Sequence, residues 1–213
     1  TCEMTYFSSG GDGDGFAVDT TLQNCSTPAI NQGEQGDGSD QLYQGCTPYI
    51  YEFPGTNNSC LIADTVTSDG SNQWQLIMLN GQVVAAIKDN GNNLGDVTTQ
   101  FYVNDNPVRI DPFAILPSYY MDRNYKISTE NLVFGSPVRV RLYFLANELQ
   151  ALINADANVT SINSIGITRY SGTNENCQIT DNIDNNDALN YVHYDTYDWD
   201  TYENGYYVEF DVN

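Results

Sequence analysis

Residues 74–87 read Trp74-Gln75-Leu76-Ile77-Met78-Leu79, then Asn80-Gly81, then Gln82-Val83-Val84-Ala85-Ala86-Ile87, and this stretch decides the fold class. An Asn-Gly pair between two apolar runs is typical of a type I′ turn, because both central residues of that turn need a positive φ. We therefore predict a β-hairpin with strands at residues 74–79 and 82–87.

More strands are predicted on the C-terminal side of this hairpin. A second turn at Asn90-Gly91-Asn92-Asn93 leads into a strand from Val97 to Val103, and another strand covers residues 164–170. Between Val138 and Phe144 apolar residues alternate with two arginines and a tyrosine, which indicates a strand with one face in a core and the arginines near water. The chain closes with a hairpin around Asn204-Gly205.

Only one helix is predicted. Asn147 is its expected N-cap, Leu149, Leu152 and Ile153 form its apolar stripe, and it ends near Asp156. Short strands separated by turns, with one minor helix, predict an all-β protein: a β-sandwich of immunoglobulin-like or Greek-key type. We assign this sandwich to residues 71–213 and a loop-rich N-terminal region, rich in Cys, Gly and Asp and stapled by disulfides, to residues 1–70.

Five cysteines occur in the chain: Cys2, Cys25, Cys46, Cys60 and Cys177. The first four lie in the N-terminal region without a CxxC spacing and far from the only histidine, so disulfides in an oxidising compartment explain them better than zinc. Four cysteines allow three pairings, and all three stay open. Cys177 is either a free buried thiol, one end of a long-range bridge to the N-terminal region, or bonded to a neighbouring copy.

The charge of the chain is unevenly distributed. All seven basic residues lie between Lys88 and Arg169, while residues 1–87 and 170–213 each carry ten acids and no base. A field of one sign at both ends repels nucleic acid and anionic lipid, so we expect no nucleic-acid partner. We also expect no membrane insertion, since no apolar run approaches the ~20 residues of a membrane span. Because the chain begins at Thr1 without a Met, we expect an already processed protein, and the predicted disulfides indicate a location outside the cell or on its outer surface.

Four blocks of sequence carry a resemblance to a known module: Val84–Gly95, Tyr120–Tyr125, Pro137–Phe144 and Ile167–Gly172. Together, over about residues 74–172, they resemble a module that recurs in large secreted and cell-surface proteins of the Bacteroidota, commonly ahead of a sorting domain for type IX secretion. The resemblance implies a surface, adhesive or structural role and brings no catalytic residues. Relatives tend to continue beyond the point where this chain ends, so we expect either a sorting tail removed on export or another export route.

Short sequence patterns suggest two kinds of site, one for glycosylation and one for a metal ion. Asp19-Thr20-Thr21 and Asp64-Thr65-Val66 look like the O-glycosylation signal of this phylum, with Thr20 and Thr65 as acceptors, although ordinary turn threonines fit equally. The carboxylates of Asp181, Asp184 and Asp187, with asparagines between them, suit a hard cation such as calcium. Solvated surface charge is the alternative for this cluster.

No catalytic residues are predicted, and we expect a protein that is not an enzyme and holds no cofactor other than the candidate structural calcium. The only histidine, His193, lies in a short aromatic strand, where a structural or exposed histidine is more common than a catalytic base. A pair of carboxylates, as in a glycosidase, is uninformative in so acidic a chain.

The leading hypothesis is a secreted, non-catalytic structural or adhesive protein that forms part of an extracellular filament or surface assembly. Its partners are further copies of itself, or other surface proteins and polysaccharide, and strand addition at a sheet edge is the expected mode of association. The alternative is a lectin-like carbohydrate-binding module in which Trp199 and Tyr202 stack on sugar. Alternation places these two rings on opposite faces of one strand, so core or edge cover also explains them.

Overall fold

The computed structural model describes residues 48–52, 60–111, 118–132, 134–170, 191–194 and 196–213. Its strands are β1 (Leu61–Ile62), β2 (Val66–Ser68), β3 (Trp74–Leu79), β4 (Gln82–Lys88), β5 (Gly95–Asp111), β6 (Ser118–Thr129), β7 (Val138–Leu145), β8 (Ile167–Tyr170), β9 (Tyr191–Tyr194), β10 (Asp198–Tyr202) and β11 (Gly205–Val212). Within these described ranges the helical elements are α1 (Ala146–Ala155) and a 3-10 turn (Ile162–Ser164). The predicted all-β class with one short α-helix is confirmed.

The strands form two main antiparallel sheets and a small two-stranded one, β8-β9. The five-stranded sheet has the order β10-β11-β7-β4-β3. In the second sheet, β5 pairs along one edge with β6, and successive stretches of its other edge pair with β1 and β2. One apolar cluster contains Ile87 and Val140 of the five-stranded sheet together with Val97 and Phe101 of the second sheet. The two sheets therefore pack face to face as a β-sandwich.

The β3–β4 hairpin is the one that the sequence predicts. Asn80 and Gly81 have φ angles of 50° and 78°, so both lie in the left-handed region that a type I′ turn requires. The register shifts at Ile77/Met78, where β4 carries one extra residue, Val84. This bulge re-aims the start of β4, so that Val83 packs in a different apolar cluster from Val84 and the rest of the main core.

The turn at Asn90-Gly91 is a corner of the sandwich, because β4 lies in the five-stranded sheet and β5 in the second. The strand predicted at Val97–Val103 is longer in the structure. After an irregularity between Val103 and Val108, the pairing of β5 with β6 resumes and continues to Asp111. By contrast, β8 begins only at Ile167, because a 3-10 turn occupies the residues before it.

Helix α1 follows β7 without a connecting loop, and this changes its N-terminus. The N-cap is Leu145, the last residue of β7, so the prediction of Asn147 is wrong. An apolar side chain cannot accept a hydrogen bond, and the carboxylate of Glu148 accepts one from the Leu145 N–H instead, at 2.7 Å. The predicted apolar stripe is buried at Leu149 and Leu152.

The closing hairpin, β10–β11, is confirmed, with its two-residue turn one position earlier than predicted. Tyr202 pairs with Gly205, and Glu203 takes a φ of 42°. Gly205 has another role, because a Cβ at this position would lie only 2.1 Å from the carbonyl oxygen of Phe144. The glycine is therefore required by the close approach of β11 to β7.

The described part of the predicted N-terminal region packs into the sandwich. Strands β1 and β2 extend the second sheet, and Ile50, Tyr51 and Ala63 are buried. The boundary predicted between residues 70 and 71 stays a prediction, because most of the N-terminal region is outside the described ranges. Residues 1–47 lie outside them.

Candidate functional site: a strand slot in the five-stranded sheet

The five-stranded sheet has an opening beside Val83 that is filled by residues 48–52, which we call the N-terminal segment. Strand β7 pairs with β4 only from Ala85 to Lys88, so the edge of β4 at Val83 is left without a partner from β7. Ile50 forms a parallel bridge with Val83 at this edge. The N–H of Tyr51 donates to the Val83 carbonyl at 2.9 Å, and the Val83 N–H donates to the Tyr49 carbonyl at 2.8 Å. The segment therefore completes the sheet as a short parallel strand.

An apolar pocket receives the Ile50 side chain, which is 0% exposed. The buried residues that form one cluster with Ile50 are Val83, Ala86, Tyr143 and Leu145, and we call this pocket the slot. A Cβ at Gly205 would lie 2.9 Å from Cδ1 of Ile50, so the glycine also leaves room for the isoleucine. The slot explains why Tyr143, predicted on the water-facing side of β7, is buried. Burial raises the pKa of Tyr143 to about 12, so its hydroxyl stays neutral at physiological pH.

Two polar side chains hold the backbone of the N-terminal segment. Oδ1 of Asn204, in the β10–β11 turn, accepts a hydrogen bond from the Ile50 N–H at 3.0 Å. Nη2 of Arg123, on β6, donates to the Tyr51 carbonyl at 2.6 Å. The Tyr51 ring packs edge-on against Phe101 with their centroids 5.0 Å apart. The segment is thus bonded to β4, to β6 and to the last turn of the chain.

Arg123 is oriented by a buried ion pair. Its Nε lies 2.7 and 2.6 Å from the two carboxylate oxygens of Glu148, the residue that also accepts the Leu145 N–H. Burial alone would lower the pKa of Arg123, but the neighbouring Tyr125 and Glu148 outweigh it and raise the pKa above its ordinary value. Arg123 is therefore charged and fixed in direction, with Nη2 aimed at the carbonyl of the segment.

A second charged group lies on the five-stranded sheet, on the face of β7 that also carries Tyr143. Both oxygens of Glu209 are engaged, with Arg139 at 3.1 Å and Arg141 at 2.6 Å. The Arg141 guanidinium lies between two rings, 3.9 Å from the centroid of Trp74 and 4.4 Å from that of Tyr207. These contacts join β3, β7 and β11 and leave the two arginines of β7 half-buried, as the alternation predicts.

The two predicted sugar-stacking residues do not form one platform. Trp199 is 39% exposed, and its Nε1 donates to Oδ1 of Asn163 at 2.7 Å. Its ring meets Tyr206 edge-on at 6.3 Å. Tyr202 instead packs edge-on against Tyr143, on the side of the slot, with centroids 4.8 Å apart. Of the two rings, Trp199 is therefore the exposed one, while Tyr202 packs against the slot.

The other predicted site residues are only partly within the described ranges. Cys60 is disulfide-bonded, while Cys2, Cys25, Cys46 and Cys177 lie outside those ranges, as do Thr20, Asp181, Asp184 and Asp187. The pairing of the cysteines and the calcium site therefore stay predictions. Thr65 is exposed between β1 and β2. No group of three or more His, Cys, Asp or Glu side chains in the described part of the chain is arranged to hold a metal ion.

His193 is an exposed residue of β9, as the sequence indicates. Its Nδ1 lies 3.0 Å from the hydroxyl of Thr168 on the paired strand. Cross-strand contacts of this kind are ordinary in two-stranded sheets.

The slot was not predicted from the sequence. Its one visible signal is the short apolar run at residues 49–53 within an otherwise glycine- and asparagine-rich region. The sequence around Arg123 and Asn204 does not indicate that they bind the segment, because their partners lie 72 and 154 positions away in the chain.

Comparison with known proteins does not identify this chain. No family model matches its sequence, no curated protein matches it, and no solved structure matches its fold. The resemblance to the Bacteroidota module therefore stays a prediction. In the parts of the chain that the structure describes, no helix is long and apolar enough to cross a membrane.

Proposed function

We propose that this protein is a secreted, non-catalytic structural or adhesive subunit of an extracellular filament or surface assembly, and that its copies associate by β-strand addition. The observation that carries the proposal is the slot, in which the five-stranded sheet is completed by a segment from a distant part of the chain. A sheet that takes up a separate strand has the backbone groups and the side-chain pocket that strand addition uses.

The β10 edge of the same sheet is poorly suited to association. Strand β10 is an edge strand in the described residues, and it carries exposed carboxylates at Asp198 and Asp200. The N–H of Thr201 donates to Oδ1 of Asp200 at 2.8 Å, so one backbone donor is already occupied. Charged and occupied edges resist pairing with other chains, so the β10 edge is a poor site for strand addition.

Sedimentation velocity and electron microscopy of the purified protein test the proposal. We expect multimers whose length grows with protein concentration, measured over a range of sodium chloride concentrations with and without calcium. The Ile50→Asp variant, which places a charge in the slot, should reduce their formation, and Tyr49→Asp is its matched control because Tyr49 is 43% exposed. Discrete monomers of the native protein under every condition would rule the proposal out.

A carbohydrate-binding role is the second candidate, and Trp199 is the observation that favours it. The hydrogen bond to Asn163 fixes the indole and satisfies its N–H, so an exposed apolar ring face is held in place. A glycan array with the native protein and with Trp199→Ala and Trp199→Phe tests this role. Binding that is lost in the alanine variant and kept in the phenylalanine variant supports stacking, and absence of binding by the native protein contradicts it.

A further inference from the structure

We propose that in the assembly the slot of one copy takes the N-terminal segment of a second copy, parallel to β4 and with Ile50 in the same pocket. This inference rests on the proposed function and names its partner and its register. The occupant is a second copy of this chain, and the bound part is residues 48–52.

Within the described residues, the hydrogen bonds of the segment go to residues that are distant in the sequence. Its four described hydrogen bonds go to Val83, Arg123 and Asn204, and its pocket is built by β4, β7 and the start of β11. None of these contacts depends on the covalent path from residue 52 to residue 60. The same segment supplied by another copy would make every one of them, so exchange needs no new interface chemistry.

An empty slot would be unfavourable. Without the segment, the N–H and C=O of Val83 and a donor of buried Arg123 would lose their partners, and side chains of the pocket would face water. Buried polar groups without partners and opened apolar pockets are both unfavourable. A copy whose own segment has left the slot is therefore stabilised by taking the segment of a neighbour.

The slot is organised in part by Glu148, whose described hydrogen bonds go to Arg123 and Leu145 and not to the segment. Glu148 holds Arg123 through Nε and at the same time accepts the N–H of Leu145 at the start of α1. The acceptor side is thus fixed before an occupant arrives, which lowers the cost of binding.

Mixing two full-length variants tests the inference. Ile50→Asp has an intact slot and a defective segment, whereas Val83→Pro has an intact segment and a defective slot. The proline removes the N–H that donates to Tyr49 and places a ring where the segment lies. We expect the native protein to form multimers, each variant alone to remain monomeric, and an equimolar mixture to give a one-to-one heterodimer that grows no further, as measured by native mass spectrometry.

Failure of the proposed function and failure of the segment exchange give different results. Monomeric native protein overturns the proposed function, whereas native multimers combined with normal assembly of Ile50→Asp overturn only the exchange.

A peptide experiment on the native protein covers the case in which a variant does not fold. An acetylated and amidated peptide of residues 48–52, added in large excess before assembly begins, should shorten the multimers by occupying slots. The same peptide with Ile50→Asp is the control and should leave their length unchanged. Equal lengths with both peptides would overturn the exchange, while native multimers would still support the proposed function.

Discussion

Asp89 is the residue that holds the corner between the two sheets. It is buried, and its carboxylate accepts hydrogen bonds from Ser68 Oγ at 2.9 Å and from the N–H groups of Gly70, Asn72 and Gly91 at 3.1, 2.9 and 3.0 Å. Burial raises the pKa of Asp89, but these donors outweigh it, and the net pKa lies below the ordinary 3.8. The corner at residues 89–92 therefore depends on an ionised carboxylate.

Replacing this carboxylate tests the corner. We expect Asp89→Asn to lower the free energy of unfolding at pH 7 by about 2–3 kcal/mol. The reason is that the four groups that donate to the carboxylate would face a neutral amide in its place. Since the folded pKa is depressed, the stabilisation is present above pH 3.8 and is lost as the pH falls through the folded pKa. Urea unfolding at pH 7 and at acid pH should show a smaller difference between native protein and variant at acid pH.

A neighbouring acid serves as the control for Asp89. Asp69→Asn changes an exposed carboxylate whose described bond goes only to the N–H of Ser71, so we expect almost no change at either pH. A loss of stability in Asp89→Asn that is the same at both pH values would contradict the role of the charge.

The buried ion pair of Arg123 and Glu148 is a second contact between individual residues on which stability depends. Glu148→Gln leaves Arg123 as a buried charge with a weakened partner, and removing one member of a buried pair costs about 3–5 kcal/mol. We therefore expect a large fall in the midpoint of urea unfolding. Replacing both residues, as in Arg123→Met with Glu148→Leu, should recover part of it, because the uncompensated charge is gone.

Amide hydrogen exchange in the N-terminal segment separates a positioning role of Arg123 from a role in stability alone. The double variant should still lack the bond to the Tyr51 carbonyl, so amide hydrogen exchange at residues 49–51 should remain faster than in the native protein. Native-like exchange there would show that Arg123 does not hold the segment.

At the scale of elements, sequence and structure agree where the determining contacts are local. The β3–β4 hairpin follows from Asn80-Gly81, and β7 follows from its alternation of apolar and polar residues. They disagree where a distant partner decides. Asn147 is a residue type that favours the N-cap, but Leu145 pairs with the distant Gly205, so β7 extends to the start of α1 and the cap is Leu145. The slot could not be predicted, since the partners of the segment come from three separate parts of the chain.

Packing of the N-terminal segment in the slot should contribute measurably to the free energy of unfolding. Ile50→Ala removes most of a fully buried side chain and leaves a cavity in the slot, which we expect to cost about 2–5 kcal/mol in the free energy of unfolding. Tyr49→Ala changes the adjacent exposed residue, and its effect should stay within about 0.5 kcal/mol. Both values follow from urea unfolding. Equal effects of the two variants would show that the slot contributes little to stability.

At the scale of the whole molecule, the net charge of −21 governs how copies approach one another. Ten acids without a base occupy each end of the sequence, while the middle is almost neutral. Two copies therefore repel each other at long range even where the slot and the segment fit at short range. We therefore expect the acidic surface to suppress random association, and the proposed exchange of the segment to depend on the short-range fit in the slot.

Salt should therefore strengthen self-association. The Debye length falls from about 30 Å at roughly 0.01 M to about 3 Å at 1 M ionic strength, so added sodium chloride screens the repulsion between copies and leaves the apolar burial of Ile50 almost unchanged. We expect the multimer fraction in sedimentation velocity to rise steadily over this range. Calcium chloride at equal ionic strength is the control: equal fractions indicate screening, and a larger fraction with calcium points to a bound cation. Dissociation by sodium chloride would contradict the argument, because attractive ion pairs between copies would then be the main force of association.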